Sequence, residues 1–269
     1  MALSKLRPAR SERTIARHTV QVGPVGYAFC LAAPGDLPRR AIGEALAGAV
    51  AELRAVDAAF SPYRERSLVS MVRRGELTPP GYPPPLTEVV RRCAALRAAT
   101  DGWFDPWAVP GGFDPAGMIK GWAIDRAAVL LRAAGIDDYA ITAGGDWLVR
   151  GTGPRGGAWR VGVADPDNPL RVLATVELTD GAVATSGYGM PAVDPHTGRT
   201  IEGTGPATVI GPTLATADGY ATALYAAGEA GRSWFPTTEG YRALVIAGRA
   251  VEDAASAGEA LTGRQLSRR

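Results

Sequence analysis

Histidine and cysteine are scarce in this sequence, which has two of each among 269 residues. With only His18 and His196 available, a zinc site built from several histidines is poorly supported, and so is a serine–histidine–aspartate hydrolase site. Cys30 and Cys93 form no Cys-x-x-Cys motif, so we expect two small buried side chains. The G-x-x-x-x-G-K-[ST] motif of phosphate-binding loops is also absent.

Long hydrophobic runs are missing as well. The longest uncharged candidate, residues 203–217, contains glycine and proline throughout. It falls short of the ~20 apolar residues that a membrane-spanning helix needs. No apolar segment follows the basic residues near the N-terminus, so we expect neither a secretory signal nor a membrane span. These features favour a cytoplasmic protein.

The formal net charge is small, at +2, but it is unevenly distributed. Residues 1–17 carry five basic side chains against one acidic side chain. A basic arm can bind nucleic acid, but this one has no interleaved aromatic residues. We therefore expect a solvated, partly disordered arm at 1–17 and no nucleic-acid partner. A single domain is expected at 18–250, followed by a flexible tail at 251–269.

Glycine and proline are abundant, with 34 and 21 residues, and predict many turns between short elements. A strand pair or one kinked strand is expected at 18–33. The spacing of apolar residues then predicts helices at 37–60, 86–100, 117–135 and 216–228. Strands are predicted at 138–143, 146–151, 158–164, 171–178, 182–185, 206–210 and 241–248. This order indicates an α+β fold with a mixed, largely antiparallel sheet and flanking helices.

Residues 151–156, GTGPRG, match the G-x-G-x-x-G fingerprint of dinucleotide-binding proteins. That fingerprint requires a following helix, whose N-terminus holds the pyrophosphate. A strand pattern follows here, so we predict a glycine-rich hairpin.

Lys120 is expected in the first turn of its helix, where the helix dipole disfavours a cation. A bound anion would explain its position, because the helix end and the ammonium can hold an anion together. A surface ion pair with Asp114 explains it equally well. The residues alone leave both explanations open.

Asp218 and Thr222 lie four residues apart in the alanine-rich stretch TADGYATALYAAG and therefore share a helix face. An aspartate in the first turn suits the positive end of a helix. Thr222 has two explanations. Its hydroxyl can donate back to the carbonyl of Asp218. Alternatively, the two side chains and nearby carbonyls hold a hard cation such as Mg²⁺.

Five segments occur in one order and together resemble the FAD:protein FMN transferase (ApbE) family. They are DGWFDP, FDPAGMIKGWAIDRAAVLLRAAG, AITAGGDWLVRG, AVATSG followed by DPHTG, and TADGYATALYAAG. The resemblance spans about residues 25–248. It implies an enzyme that binds FAD and Mg²⁺, transfers FMN to a threonine or serine hydroxyl of an acceptor protein, and releases AMP. The acceptor would carry a motif similar to D-x-x-[ST]-[GA]-A-T. Some family members instead hydrolyse FAD to FMN and AMP.

The resemblance also implies roles for single residues. Mg²⁺ would be held by Asp218, Thr222, the carbonyl of Ala221 and the backbone of Gly117. Lys120 and Asp218 are the expected catalytic residues. Lys120 would offset phosphate charge, and Asp218 or another acidic residue near the metal would help to deprotonate the incoming hydroxyl. FAD would be contacted by a further set: Tyr63, Phe104, Asp105, Pro106, Asp114 and Lys120.

Three features depart from the family pattern. The segment between FDPWAVPGG and FDPAGMIKG is much shorter than usual. The family histidine before D-P-x-T-G is missing, and Pro191 lies near its place. Val25, Gly26 and Tyr27 occupy the place of Met-Gly-Thr. A non-catalytic flavin-binding protein is therefore a further hypothesis.

Overall fold

Twelve strands and five α-helices are present in the computed structural model, which describes residues 13–165, 168, 170–187, 192–201, 205–235, 240–247 and 250–253. The strands are β1 Arg13–Val22, β2 Val25–Pro34, β3 Tyr139–Ala143, β4 Asp146–Arg150, β5 Trp159–Ala164, β6 Val172–Leu178, β7 Gly181–Ser186, β8 Ala192–Val193, β9 Thr200–Ile201, β10 Ala207–Gly211, β11 Arg242–Ala247 and β12 Ala250–Asp253. The helices are α1 Arg39–Phe60, α2 Leu68–Arg73, α3 Pro84–Ala99, α4 Ala116–Ala133 and α5 Leu214–Ala227, and a 3₁₀ helix follows at Gly228–Ser233.

Eight strands form one central sheet in the order β1-β2-β3-β4-β7-β10-β11-β12. Every described pair of neighbouring strands is antiparallel. Two small sheets, β5–β6 and β8–β9, lie outside it. The α+β prediction is confirmed, because consecutive strands pair through short turns while four helices precede β3. No helix among the described residues is long and apolar enough to cross a membrane.

The ends of the expected domain need correction. Strand β1 begins at Arg13, so residues 13–17 of the expected basic arm belong to the central sheet. Strand β12 extends to Asp253, so residues 251–253 of the expected tail are also part of the sheet. Residues 1–12 and 254–269 lie outside the described residues.

The glycine-rich segment at 151–156 joins β4 to β5, and these two strands belong to different sheets. The predicted hairpin is therefore wrong, although a strand does follow the segment. The β5–β6 pair covers one face of the central sheet through an apolar cluster that includes Val149, Val161 and Val183. No helix begins in this segment.

The other face of the sheet packs against α4 and α5, where small side chains bring the two helices close together. An added Cβ on Gly121 of α4 would lie 2.5 Å from the carbonyl oxygen of Leu214, at the first residue of α5. The first two backbone amides of α5 donate hydrogen bonds to a side chain of α4. The carboxylate of Asp125 accepts from the amide of Leu214 at 3.1 Å and from that of Ala215 at 2.9 Å. Asp125 thus supplies the N-terminal hydrogen bonds that α5 lacks locally.

Replacing Gly121 with alanine is expected to lower the free energy of unfolding by about 1–3 kcal/mol, because its methyl group meets backbone that cannot rotate away. Gly43 of α1 provides the matched control, since a Cβ there meets nothing within 4 Å. Gly43→Ala should raise the free energy of unfolding by about 0.5–1 kcal/mol. Urea denaturation measures both, and equal effects of the two substitutions would contradict the close helix contact.

Candidate active site

Lys120 lies between two buried carboxylates. Its Nζ is 2.5 Å from Oδ2 of Asp146 and 4.0 Å from Oδ1 of Asp218. Helix α4 begins at Ala116, so Lys120 is in the second turn and the prediction of a first-turn position is wrong. The suggested surface pair with Asp114 is also wrong, since Asp114 pairs with Arg73 at 2.9 Å.

Asp146 reaches Lys120 because it begins β4 directly after a tight turn. Gly144 and Gly145 form this turn with φ values of 57° and 93°, which glycine adopts without strain. The carboxylate is fully buried, and its Oδ1 accepts a hydrogen bond from the amide of Thr185 at 3.0 Å. This residue was not predicted as part of the site. The only sequence signal for it is the Gly-Gly-Asp motif in the segment that resembles the ApbE family.

Asp218 reaches the same ammonium from α5. That helix begins at Leu214, so Asp218 is in its second turn, and the predicted first-turn position is wrong here too. Its Oδ2 accepts a hydrogen bond from the amide of Gly121 at 3.3 Å. The close approach of α5 to α4 at Gly121 therefore places this carboxylate.

Thr222, one turn beyond Asp218, binds across to α4. Its hydroxyl donates to the carbonyl oxygen of Gly117 at 3.2 Å and lies 3.3 Å from the hydroxyl of Ser186. The hydrogen bond back to Asp218 that the sequence allowed is not the contact formed. An added Cβ on Gly117 would lie 2.9 Å from Oγ1 of Thr222 and 3.1 Å from the Phe104 ring. Only glycine fits here without displacement.

Burial and charge together set the protonation of this cluster. Burial raises the pKa of Asp218 to about 7, Lys120 opposes the rise and the neighbouring Asp146 adds to it. Burial also raises the pKa of Asp146, and Lys120 opposes it. Burial lowers the pKa of Lys120, but the two carboxylates more than offset this, so its pKa lies above the ordinary value. The single ammonium of Lys120 therefore lies beside two carboxylates, and the cluster carries one net negative charge when both carboxylates are ionised.

The oxygen atoms around Thr222 fit a hard divalent cation. Asp218, the Thr222 hydroxyl and the Gly117 carbonyl supply oxygen only, which Mg²⁺ prefers. Ala221 is fully buried in α5 between these two side chains. No three His, Cys, Asp or Glu side chains converge on one point within the described part of the chain. Mg²⁺ uses one or two carboxylates and completes its shell with water and phosphate, so a set with a single carboxylate is enough to hold it.

The segment expected to contact FAD lies beside the start of α4. Phe104 is buried against Gly117, and the carbonyl of Pro106 accepts from the amide of Asp114 at 2.7 Å. Asp105 pairs with Arg97 at 2.8 Å. Asp114 also accepts from the amide of Ala116 at 2.9 Å, within the first turn of α4. These contacts bring the two F-D-P motifs together at one helix end.

Tyr63 differs from the other expected residues, because its side chain is 86% exposed between α1 and α2. The structure does not bring it into the cluster around Lys120.

Tyr27 is a second buried residue that was not predicted as part of the site. It pairs across β2 and β3 with Ala143, which pairs in turn with Asp146, so the three residues form one row across the sheet. Burial raises the pKa of Tyr27 to about 12, and Lys120 opposes the rise. The phenol is therefore neutral beside the charged cluster. Its sequence signal was the Val25-Gly26-Tyr27 departure from the family pattern.

The loop that carries the D-P-x-T-G motif also contacts this region. The His196 ring packs edge-on against Trp103, with 4.7 Å between ring centroids. The Asp194 carboxylate accepts from the backbone amide of His196 and from the Thr197 hydroxyl, which fixes the turn. Pro191, near the place of the missing family histidine, lies outside the described residues.

The raised pKa of Asp218 has a testable effect on stability. The native state holds a proton on Asp218 between about pH 4 and pH 7, whereas the unfolded chain loses it near 3.8. The contribution of this group to stability is therefore present below the unfolded pKa and lost as pH rises towards 7. As pH rises from about 4 to about 7, the free energy of unfolding of Asp218→Asn should therefore increase relative to that of the unmodified chain. Urea unfolding at several pH values measures this difference.

The control for this measurement is Asp180→Asn, in the exposed turn between β6 and β7. It should retain the pH profile of the unmodified chain. Magnesium ions at pH 8 should stabilise the unmodified chain and the control but not Asp218→Asn. Parallel profiles for Asp218→Asn and the unmodified chain would contradict the assigned protonation.

Comparison with known proteins agrees with this geometry. The profile described as "ApbE family" matches residues 109–245, just over half of the chain. The protein named FAD:protein FMN transferase from Vibrio cholerae serotype O1 is 34% identical over 130 residues, which cover 43% of this chain and 39% of that protein. The protein of the same name from Salmonella typhimurium is 35% identical over 122 residues, covering 40% of this chain and 35% of that protein. The matches thus span well under half the length of these relatives.

Similarity in structure extends further along the chain. The flavin transferase ApbE from Vibrio cholerae superposes with a TM-score of 0.76 at 21% identity, covering 91% of this chain and 98% of that one. The apo form of flavinyl transferase ApbE from Pseudomonas stutzeri gives a TM-score of 0.74 at 23% identity, covering 90% and 94%. These two likenesses establish the fold, and the profile match establishes the relationship. The chain belongs to the ApbE family.

Proposed function

We propose that this protein transfers FMN from FAD to a threonine or serine hydroxyl of an acceptor protein, in a reaction that requires Mg²⁺ and releases AMP. The observation that carries the proposal is the half-buried ammonium of Lys120 between the buried carboxylates of Asp146 and Asp218. The hydrogen-bonded oxygens of Gly117 and Thr222 lie about one helical turn away along α4 and α5. Membership of the ApbE family and the names of the curated relatives support it.

The chemistry needs what this cluster offers. In the proposed reaction the hydroxyl oxygen bonds to the phosphorus of the FMN half, the bridging P–O bond breaks, and AMP leaves. Phosphoryl transfer of this kind depends on neutralising charge and holding the attacking oxygen in line. A bound Mg²⁺ supplies Lewis acidity and a template for the pyrophosphate. Lys120, kept charged by its two carboxylates, offsets charge on the phosphates, and Asp218 receives the proton of the incoming hydroxyl.

The residues proposed to hold the reactants are those that the resemblance to the ApbE family implies, and their positions support the proposal. Asp218, Thr222, Gly117 and the Ala221 carbonyl would hold Mg²⁺, because their oxygens belong to the facing turns of α4 and α5. The remaining set would contact FAD: Phe104, Asp105, Pro106, Asp114 and Lys120. The acceptor would present its hydroxyl in a motif similar to D-x-x-[ST]-[GA]-A-T.

Hydrolysis of FAD to FMN and AMP is the second candidate function. It uses the same cluster, with water in place of the acceptor hydroxyl, so the two candidates differ only in what attacks phosphorus. The direct test is to incubate the purified protein with FAD and Mg²⁺, with and without a protein that bears the acceptor motif, and to quantify AMP. AMP matched by flavin bound covalently to the acceptor supports transfer. AMP with free FMN in the absence of acceptor supports hydrolysis.

Asp218→Ala is expected to reduce AMP formation at least a hundredfold, because the metal loses its carboxylate. Thr222→Val should reduce it by a smaller factor, since one hydroxyl oxygen is lost and the side-chain shape is kept. Asp180→Ala and Thr87→Val, on exposed turns and helix ends, are the matched controls and should retain full activity. Full activity of Asp218→Ala, or no AMP from the unmodified chain that still binds FAD, would refute the proposed reaction.

Tyr27→Phe tests whether the phenol next to Lys120 contributes. The substitution removes one hydroxyl from the charge cluster and leaves the buried ring in place. We expect kcat for AMP formation to fall about tenfold, or about 1.4 kcal/mol in activation free energy, with little change in KM for FAD. Tyr139→Phe is the control, because its fully buried hydroxyl faces the Ala128 carbonyl away from this cluster. Equal kinetics in both variants would show that Tyr27 serves packing alone.

A further inference from the structure

A second cleft lies at the other end of α4, and we call it the arginine cleft. Its volume is about 380 Å³, and it is bounded by α3, α4, the strands β3 and β4, and Thr213 just before α5. Its charged lining side chains are Glu88, Arg92, Asp125, Arg126, Arg132 and Arg150. Arg132 is twelve positions after Lys120 in α4, which is about 18 Å along a helix. None of Lys120, Asp146 and Asp218 lines the arginine cleft, so it is distinct from the cluster described above.

Two of its four arginines already have carboxylate partners. Arg92 pairs with Glu88 at 2.9 Å, and Arg126 pairs with Glu52 while its guanidinium lies over the Trp122 ring. The charges of these two side chains are therefore compensated within the protein.

The other two arginines keep their charge. Arg150 donates to the carbonyl oxygens of Val149 at 2.8 Å, Gly181 at 3.2 Å and Pro212 at 3.0 Å. These neutral acceptors fix the guanidinium without cancelling its charge. Arg132, exposed in the last turn of α4, forms no ion pair among the described residues. Both charges act on the hydroxyl of Tyr139 at the base of the cleft, where they oppose the rise in its pKa that burial causes.

Asp125 offsets only part of this charge. Its carboxylate interacts electrostatically with Arg150 but forms no ion pair with Arg132 or Arg150 among the described residues. Its two oxygens accept instead from the amides of Leu214 and Ala215 at the positive end of α5. Arg132 and Arg150 therefore line one cavity together with Thr213, whose hydroxyl lies 2.9 Å from the hydroxyl of Tyr241. Guanidinium groups in such an arrangement match the oxygens of a phosphate in geometry and in charge.

We propose that the arginine cleft binds a phosphate group between Arg132 and Arg150, either as inorganic phosphate or as part of a small phosphate monoester. A dianion gains from both guanidinium groups at once, whereas a monocarboxylate gains from one. The cavity has room for a phosphate and a small organic group beside it. The site is independent of the proposed transferase reaction, because it shares no ligand with the cluster around Lys120.

Isothermal titration calorimetry of the full chain with inorganic phosphate, and separately with glycerol 3-phosphate, tests this site. We expect one saturable site per chain for at least one of the two ligands, and tighter binding of the ester would identify the monoester as its natural class. Arg132→Gln should weaken binding at least tenfold. Arg54→Gln, on exposed α1, makes the same charge change elsewhere and should leave the affinity unchanged.

Two further variants complete the test. Val129→Glu places a carboxylate at a position of the cleft wall that is 64% exposed, so it should abolish binding without affecting folding. Asp218→Ala should bind phosphate as the unmodified chain does. The proposal is overturned by the absence of saturable binding, by equal weakening in Arg132→Gln and Arg54→Gln, by competition from acetate at equal ionic strength, or by binding that depends on Asp218 and not on Arg132.

Discussion

The ion pair of Lys120 with Asp146 is the contact on which the arrangement of this site depends. Charged groups are costly to bury unless they are paired and hydrogen-bonded. Asp146 is fully buried, and Lys120 is its counterion at 2.5 Å. The backbone amides of Thr185 and Gly121 then bind the oxygens of Asp146 and Asp218 that face away from the ammonium. Three elements, α4, α5 and the central sheet, are thereby held to one point.

Most helices and strands can be predicted from the sequence, because the spacing of apolar residues and the positions of turn residues are local features. The helices expected at 37–60, 86–100 and 117–135 begin and end within two residues of the observed bounds. The seven strands predicted after residue 137 agree similarly, since turn residues separate them. Strand β1, however, begins five residues before the predicted 18–33, and β8, β9 and β12 were not predicted. The start of α5 was predicted at 216, whereas the helix begins at Leu214. Two residues are enough to move Asp218 out of the first turn, so the argument from the helix dipole fails.

The site could be predicted from the sequence only in part, because its contacts join distant parts of the chain. Asp146 meets Lys120 through the register of β3 and β4 and the packing of the sheet on α4, and neither can be read from local periodicity. Resemblance to the ApbE family did link Gly117 with Thr222, and the structure places them in hydrogen-bond contact. It gave Tyr63 a role that its exposed position does not support. Tyr27 was noted only as a departure from the family pattern, because strand pairing is what places it in one row of the sheet with Asp146.

Glycine at two positions of α4 allows α5 to approach α4 closely enough to form the site. Gly117 admits the Thr222 side chain, and Gly121 admits the backbone of Leu214, so α5 lies against α4 over about one turn of α4 and two turns of α5. An alanine helix would hold α5 farther away and would separate Asp218 from Lys120. Each glycine lowers the stability of the helix by about 1 kcal/mol relative to alanine. Both glycines lie at the contact where oxygen ligands from the two helices converge. Asp125 of α4 binds the first amides of α5 and thereby fixes the direction in which α5 begins. The contact between Gly117 and Thr222 fixes the distance between the two helices farther along α5. The position of Asp218 is therefore determined by the contacts of α5 with α4 and with strands β7 and β10 of the central sheet. These elements lie outside the segments that depart from the family pattern, so the cluster can remain intact where those segments differ.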